Sequence, residues 1–327
     1  MLSDLREPGF IEYIGKSVVV LGHHNADPDA MGSAQGVKEL VEQLKPDTIV
    51  EIVMPDDISK LSTKLIQELG LDIHEDSSID FDTIVVVDAG GLNQLGDWAT
   101  IIQEKKQVVV LIDHHILDEQ LASQVDLLIH NEEASSTCEL VYRLYVKTGI
   151  TPSVKTSSAL LAGIAFDTRF FSLGKSDTFR AVSDLLQNIG DVSEIREIMQ
   201  SDTDASEKIA RLKAGQRAQI HQVKEWIIAF SELSSYQASG ARALIQLGAD
   251  LAIVIGEEKK ETRASLRSTQ SFHNVTHIHL GELISEFSAE NGGMGSGHPT
   301  AAGYNGVISH VILRQKLLKN IIEQINQ

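Results

Sequence analysis

The chain has 327 residues, and 46 acidic against 28 basic side chains set its formal charge at −18 with neutral histidines. This balance excludes a broadly basic scaffold for long nucleic acids, because clustered Lys and Arg supply most non-specific phosphate binding. We therefore expect no long double-stranded nucleic acid as a partner. The apolar content of 42% is typical of a folding chain, and the length predicts two domains.

The single cysteine, Cys138, excludes an intrachain disulfide and a zinc site built from several cysteines. The low cysteine content fits a reducing, cytoplasmic location. The segment Met1 to Phe10 carries charged residues and lacks the apolar core of a signal peptide. No stretch approaches the ~18 consecutive apolar residues of a membrane span, so we expect a soluble protein without a membrane partner.

The first half of the chain alternates β-branched runs with amphipathic segments, which is typical of an α/β fold with a mostly parallel sheet flanked by helices. The runs are almost continuously apolar, which predicts strands buried on both faces. The predicted strands are Ser17–Leu21, Ile49–Met54, Thr83–Val87, Val108–Ile112 and Val125–Ile129. The predicted helices are Ala34–Leu44, Ser59–Leu69, Thr137–Lys147 and Lys155–Phe166.

The second half begins with a stretch that we predict to be almost wholly helical, from Ser176 to Glu225, in which Ala205 to Val223 connects two domains. We place the first domain at residues 1–195, a helical linker at 196–224, and a smaller α/β domain with a mixed sheet at 225–327. Its predicted elements are strands at Trp226–Phe230, Leu251–Ile255 and Thr262–Leu266, helices at Ser239–Leu247 and Ile278–Glu290, a Gly-rich loop at Gly292–Gly297, and a last helix that includes Val311–Ile325.

Four polar clusters follow predicted strands or close a predicted helix, and in an open α/β sheet the carboxyl ends of the strands meet at the ligand crevice. Each cluster alone has an ordinary explanation as a turn or a helix cap. Together they favour a dinuclear metal site, because clustered charge needs partners and mixed imidazole and carboxylate ligands suit Mn²⁺, with Mg²⁺ and Co²⁺ as alternatives. The clustered residues are His23, Asp27, Asp29, Asp88, Asp113, His114, His115 and Asp167.

Two further features admit more than one interpretation. Ser33 and Ser135 stand where a nucleophile could stand, but a serine there is more often a cap or a turn residue. The stretch Gly292–Gly303 could be a flexible turn. With Arg267 it could also bind phosphate through backbone N–H groups and a guanidinium, and Arg263 is predicted to lie on the same side of its strand.

The clusters resemble the four motifs of the DHH phosphoesterase superfamily, which includes RecJ-type exonucleases, NrnA-like oligoribonucleases and pAp phosphatases, cyclic-dinucleotide phosphodiesterases, exopolyphosphatases and family II pyrophosphatases. The motifs are Gly22-His23-His24-Asn25-Ala26-Asp27-Pro28-Asp29, Asp88, Asp113-His114-His115 and Asp167. The stretches Arg263–Ser268 and Gly293–Gly303 resemble the superfamily's DHH-associated carboxyl-terminal domain. That domain binds substrate in RecJ-like and NrnA-like members, and its presence argues against a pyrophosphatase.

The resemblance implies a role for each residue. His23 and Asp27 would bind one ion, Asp29, His114 and Asp167 the other, and Asp88 both. Asp113 would orient His114 through its second ring nitrogen, and His115 would donate to a phosphoryl oxygen. The implied substrate contacts are Arg267, Ser268, Gly295, Gly297, His298 and Arg263.

We therefore expect a metal-dependent phosphoesterase, like an oligoribonuclease-type exonuclease, that acts on short oligoribonucleotides, linear or cyclic dinucleotides, or pAp. The acidic surface favours such small substrates over long single strands. An exopolyphosphatase would use the same metals and the same basic residues. A nucleotide-binding sensor without catalysis is the third reading. The resemblance also makes a homodimer an expectation.

Overall fold

The structure is a computed structural model that describes residues 9–199, 204–258 and 261–326. The chain divides into two compact units, with the boundary between residues 201 and 202. Residues 1–8, where no signal peptide is expected, and residues 200–203 of the predicted linker lie outside the described part. Across the described ranges, no helix combines the length and the apolar character needed to cross a bilayer.

The amino-terminal unit is built on a five-stranded sheet in the order β2-β1-β3-β4-β5. All four pairings are parallel, which confirms the predicted fold class. Alternate residues of the first strand enter different cores, with Val18 and Val20 on one face and Val19 and Leu21 on the other. Burial on both faces explains the continuous apolar runs. The strands are β1 Ser17–Leu21, β2 Ile49–Val53, β3 Thr83–Val87, β4 Val108–Asp113 and β5 Leu127–His130.

Helices cover both faces of this sheet, and α1 packs mainly against α5 and α6. The first helix starts at Pro28, six residues before the predicted start, because Asp27 caps it and proline is favoured in the first turn. The helices of this unit are α1 Pro28–Leu44, α2 Lys60–Leu69, α3 Trp98–Gln103, α4 Glu119–Ala122, α5 Thr137–Thr148, α6 Val154–Asp167, α7 Ser176–Ile189 and α8 Ser193–Met199.

The carboxyl-terminal unit contains a six-stranded mixed sheet in the order β10-β11-β9-β8-β7-β6. Only the β7–β8 pairing is parallel among these strands, as the described residues show. Its elements are α9 Ala205–Gln216, β6 Gln219–Val223, β7 Trp226–Glu232, α10 Gln237–Gln246, β8 Leu251–Glu258, β9 Glu261–Ser268, α11 Gln270–Thr276, α12 Leu280–Asn291, β10 Met294–His298, β11 Ala301–Gly306 and α13 His310–Asn326.

The helical prediction for the connecting segment is wrong at its end, because Gln219–Val223 forms the strand β6. This edge strand pairs with β7 through a tight turn in which Lys224 has a left-handed φ of 53°. Its side chains are mostly exposed and polar, so no apolar run marks it as a strand. The preceding helix α9 buries Ala210 and Ala214 in a core of the carboxyl-terminal unit.

The predicted Gly-rich loop is also wrong, because Met294–His298 forms the strand β10, antiparallel to β11. Two of its glycines stand where the chain is crowded. A Cβ on Gly295 would lie 2.6 Å from the carbonyl oxygen of Ile284, and one on Gly297 would lie 2.3 Å from that of Ala301. Glycine at these positions permits close packing of the strand on its neighbours, although a glycine content this high is more typical of a loop.

Candidate metal centre

The turn between β1 and α1 positions the first group of ligand candidates. Asp27 Oδ1 accepts the backbone N–H groups of Asp29 and Ala30 at 2.9 and 3.2 Å, which fixes the start of the helix. His23 Nδ1 lies 2.7 Å from the carbonyl oxygen of His24, to which it donates. Because Nδ1 carries the proton, Nε2 of a neutral His23 has a lone pair with which it can act as a ligand. This nitrogen lies 3.9 Å from Asp27 Oδ2.

Asp88 lies at the centre of the site, directly after β3, with a left-handed φ of 58°. Asp tolerates this conformation better than most residues. Asp88 is 3% exposed, and its two carboxylate oxygens face different histidines. Oδ2 is 3.7 Å from His23 Nε2, and Oδ1 is 3.7 Å from His114 Nε2. A carboxylate divided in this way has the geometry of a ligand shared by two ions.

The second group combines Asp29, His114 and Asp167 from three separate elements. His114 Nε2 lies 3.9 Å from Asp29 Oδ2 and 3.0 Å from Asp167 Oδ2. Ligand atoms of these residues all lie within 4.8 Å of one another, as do those of His23, Asp27 and Asp88. The six residues proposed as ligands therefore form two adjacent groups on one edge of the sheet.

Helix α5 holds the buried carboxylates in place, and its contribution was missed by sequence reasoning. The backbone N–H groups of Thr137 and Cys138 donate to Asp29 Oδ2 and Oδ1 at 2.7 and 3.0 Å, as a helix N-terminus does for an anion. The hydroxyl of Thr137 donates to Asp88 Oδ1 at 2.8 Å. The capping pattern Ser136-x-x-Glu139 marks this helix start and could have directed attention to it.

Asp113 orients His115 and not His114, which corrects the prediction. Its Oδ1 accepts the backbone N–H groups of both histidines and lies 2.9 Å from His115 Nδ1. The bond from Asp113 raises the pKa of His115 to about 9, against the opposing effect of burial. When this half-exposed ring is protonated, it can also donate a hydrogen bond from Nε2.

The crowding of carboxylates shows in their pKa values. Burial, reinforced by the charge of Asp88, raises the pKa of Asp27 to about 6 and that of Asp29 well above its usual range. His114 Nε2 is enclosed and has no hydrogen bond of acceptable geometry to the described residues, despite its closeness to Asp167. An enclosed ring nitrogen among mutually repelling carboxylates fits divalent cations with nitrogen and oxygen ligands.

The two serines considered as nucleophiles have structural contacts instead. Ser33 Oγ donates to the carbonyl oxygens of Asp29 and Ala30 within α1. Ser135 Oγ donates to Glu139 Oε2 at 2.6 Å. The carbonyl oxygens that accept from Ser33 are not bases, and the Glu139 carboxylate is a weak one because hydrogen bonds from Ser135, Thr178 and Arg143 lower its pKa.

The residues predicted to bind substrate lie in the carboxyl-terminal unit, where β9, β10 and β11 form a shallow trough of about 610 Å³. Arg267, His298, Arg263 and Gly297 line it. Gly295 does not, because it faces Ile284 of α12. The hydroxyl of Ser268 is also outside the lining; it is enclosed and has no hydrogen-bond partner among the described residues.

Comparisons with known proteins agree with this architecture. The family model "DHH family, N-terminal domain" matches residues 17–164. An uncharacterized protein of Methanocaldococcus jannaschii is 34% identical over 315 residues, which cover 95% of this chain and 94% of that protein. The cyclic-di-AMP phosphodiesterase GdpP of Bacillus subtilis is 27% identical over 214 residues, 60% of this chain and 31% of GdpP.

A similar fold occurs in the crystal structure of an exopolyphosphatase-related protein from Bacteroides fragilis. The two structures superpose with a TM-score of 0.60 at 18% identity, covering 95% of this chain and 94% of the other. This likeness concerns the fold. The family match and the relative that is similar along nearly the whole length make the chain a member of the DHH family of phosphoesterases.

Proposed function

We propose that the protein is a divalent-metal-dependent phosphodiesterase that hydrolyses short nucleotidic substrates: short oligoribonucleotides, linear or cyclic dinucleotides, and pAp. The observation that carries this proposal is the division of the Asp88 oxygens between His23 and His114, which suits a pair of ions. The similarity to a cyclic-di-AMP phosphodiesterase supports a dinucleotide substrate.

Each ion has its own ligands in this proposal. His23 and Asp27 would hold one ion, Asp29, His114 and Asp167 would hold the other, and Asp88 would contribute to both groups. Mn²⁺ is the preferred ion, because the ligand set mixes nitrogen and oxygen. When bound, two such ions supply an activated water and stabilise charge on phosphorus.

The remaining polar residues bind and orient the substrate. Asp113 fixes the ring of His115, which donates a hydrogen bond to a phosphoryl oxygen. Arg267 grips the oxygens of a non-scissile phosphate, and His298 donates to the same group. The formal charge of −18 disfavours long nucleic acids, so these local contacts select short ones.

The proposal is tested with a panel of dinucleotides, cyclic dinucleotides, pAp and polyphosphate, assayed with Mn²⁺, Mg²⁺ and Co²⁺. We expect chelation to abolish dinucleotide hydrolysis and Mn²⁺ to restore it. His114→Ala and Asp88→Ala should each lower kcat/KM by more than about 100-fold, since even residues that only orient a metal ligand contribute 10- to 100-fold.

The matched controls replace the same residue types outside the metal centre. His74→Ala and Asp72→Ala change a partly exposed and an exposed side chain, and both should retain activity. Unchanged dinucleotide hydrolysis in His114→Ala would refute the proposal. Turnover of polyphosphate in preference to every nucleotide would establish an exopolyphosphatase, and metal-dependent binding without turnover would establish a sensor.

A further inference from the structure

A cavity of about 290 Å³ lies beside β6, the strand at one edge of the six-stranded sheet. Gln219 of this strand lines it, together with Phe230 of β7 and two arginines. Arg217 follows the last residue of α9, and Arg314 lies in the second turn of α13. Two guanidinium groups therefore meet at one small cavity, in a chain whose acidic side chains far outnumber its basic ones.

The cavity and the trough lie on opposite faces of the sheet. Register partners on adjacent strands point to the same face. The successive partners from β6 to β9 are Gln219, Phe230, Ile253 and Leu266. Leu266 is in the core that includes residues of α13, whereas the next residue of β9, Arg267, lines the trough. The cavity is thus separate from the residues proposed to bind substrate.

Neutral groups hold both arginines in place. Arg314 Nη2 donates to Gln219 Oε1, and its guanidinium carbon lies 5.5 Å from the centroid of the Phe230 ring. Arg217 Nη1 donates to the backbone carbonyl oxygen of Glu232 at 3.0 Å. A guanidinium carries five N–H donors, and each of these arginines uses one N–H in the hydrogen bond described. Most of the donors therefore remain available to a ligand.

The positive charge at the cavity exceeds the negative charge. Among the described residues, neither Arg217 nor Arg314 forms an ion pair with a carboxylate. Glu232 is an exposed residue of the lining. Glu257 of β8 pairs instead with His310, one turn before Arg314, at 3.0 Å. Two guanidinium groups against the one carboxylate of Glu232 leave a net positive charge, which suits an anion.

We propose that this cavity is a second phosphate-binding site, which takes inorganic phosphate or a small phosphomonoester. Guanidinium groups bind phosphate oxygens bidentately, and two of them from different elements suit a tetrahedral group with several oxygens. Pockets for drug-sized ligands begin at about 300 Å³, so the volume favours a small anion over a whole dinucleotide. The inference does not rest on the proposed function, because no residue of the metal centre or the trough takes part.

The test is calorimetric titration of the full-length, metal-free chain with inorganic phosphate and, separately, with glycerol 3-phosphate. Every protein in the series carries Arg267→Gln, so that the phosphate contact proposed in the trough does not contribute. We expect Arg314→Gln and Arg217→Gln each to weaken phosphate binding by about 10- to 150-fold, because each removes hydrogen bonds to a charged group. Glu232→Gln removes the opposing charge and should tighten binding by about 1.5- to 5-fold.

The matched control is Lys319→Gln, which removes a positive charge from the same helix α13. Lys319 is exposed and does not line the cavity, so phosphate affinity should change by less than about twofold. Arg314→Lys keeps the charge and loses the planar fork, and should bind phosphate with intermediate affinity. Thermal unfolding without phosphate checks that each variant is folded.

The two probes distinguish the sources of the phosphate group. Tighter binding of glycerol 3-phosphate would identify a phosphomonoester as the ligand of the site, and equal or weaker binding would identify inorganic phosphate. Absence of phosphate binding in the Arg267→Gln chain would overturn the inference, as would weaker binding in Glu232→Gln. Equal losses in Lys319→Gln and Arg314→Gln would assign binding to overall charge and would also overturn it.

Discussion

The hydroxyl of Thr137 gives the sharpest test of how the metal centre is organised. It donates a 2.8 Å hydrogen bond to Asp88 Oδ1, and both side chains are buried. Thr137→Val keeps the shape of the side chain and removes only this donor. The backbone N–H of residue 137 still donates to Asp29 Oδ2 in the variant.

The expected effect follows from the charge of the acceptor. A hydrogen bond to a charged group contributes about 1.5–3 kcal/mol, and residues that orient metal ligands change metal affinity about 10- to 100-fold. We therefore expect Thr137→Val to weaken Mn²⁺ binding by about 10- to 100-fold. Thr137→Ser keeps the hydroxyl and should bind Mn²⁺ almost as the wild type does.

The assay is calorimetric titration of the metal-free chain with Mn²⁺, together with the rise in Tm that saturating Mn²⁺ produces in each variant. Thermal unfolding without metal separates loss of fold from loss of binding. Wild-type Mn²⁺ affinity in Thr137→Val would refute the role of this hydrogen bond. A larger loss in Thr137→Ser than in Thr137→Val would assign the effect to packing of the methyl group.

Two further predictions concern stability. A Cβ on Gly163 would lie 2.3 Å from Cys138 Sγ and 2.8 Å from Asp29 Oδ1, so Gly163→Ala should lower the free energy of unfolding in urea by about 1–3 kcal/mol. The control is Gly215→Ala in α9, where the nearest atom is 3.3 Å away and the free energy of unfolding should change by less than about 1 kcal/mol. Equal effects of the two substitutions would contradict this reasoning. Burial alone would raise the pKa of Glu139, but hydrogen bonds from Ser135, Thr178 and Arg143 lower it. This carboxylate therefore stabilises the fold above the unfolded-state pKa of about 4.3, and the contribution is lost as the pH falls through the lower folded-state pKa. Urea unfolding from pH 7 to pH 3 should thus show a smaller loss of stability for Glu139→Gln than for the wild type, and parallel curves would show that this carboxylate contributes nothing.

Strands that are buried on both faces were predictable, because their sequences are almost continuously apolar. Thr83–Val87 is apolar at nearly every position and forms β3 with the predicted bounds. Strands at an edge or with little side-chain bulk were not predictable. Gln219–Val223 is largely polar because β6 is the edge strand of the described sheet and its side chains are mostly exposed. Met294–His298 is rich in glycine because α12 and β11 crowd it.

In the candidate site, too, some residues were predictable from the sequence and others were not. Strand ends in a parallel sheet converge, so local motifs sufficed to select Asp88, His114 and the other ligand candidates. They did not reveal Thr137, which approaches Asp88 from a helix 49 residues later in the chain. The expectation that Asp113 orients His114 was also wrong. Two histidines follow Asp113 directly in the sequence, and only the course of the backbone brings the ring of His115 to its carboxylate.

The sequence by itself determined the fold class, the identity of the clustered side chains and the kind of chemistry that they can perform. These properties depend on hydrophobic pattern and on functional groups, which are local. Tertiary structure decided which atoms meet: the two oxygens of Asp88 face different histidines, and the hydroxyl of Thr137 donates to one of those oxygens. Such contacts depend on strand register and helix placement, which arise when distant segments pack together.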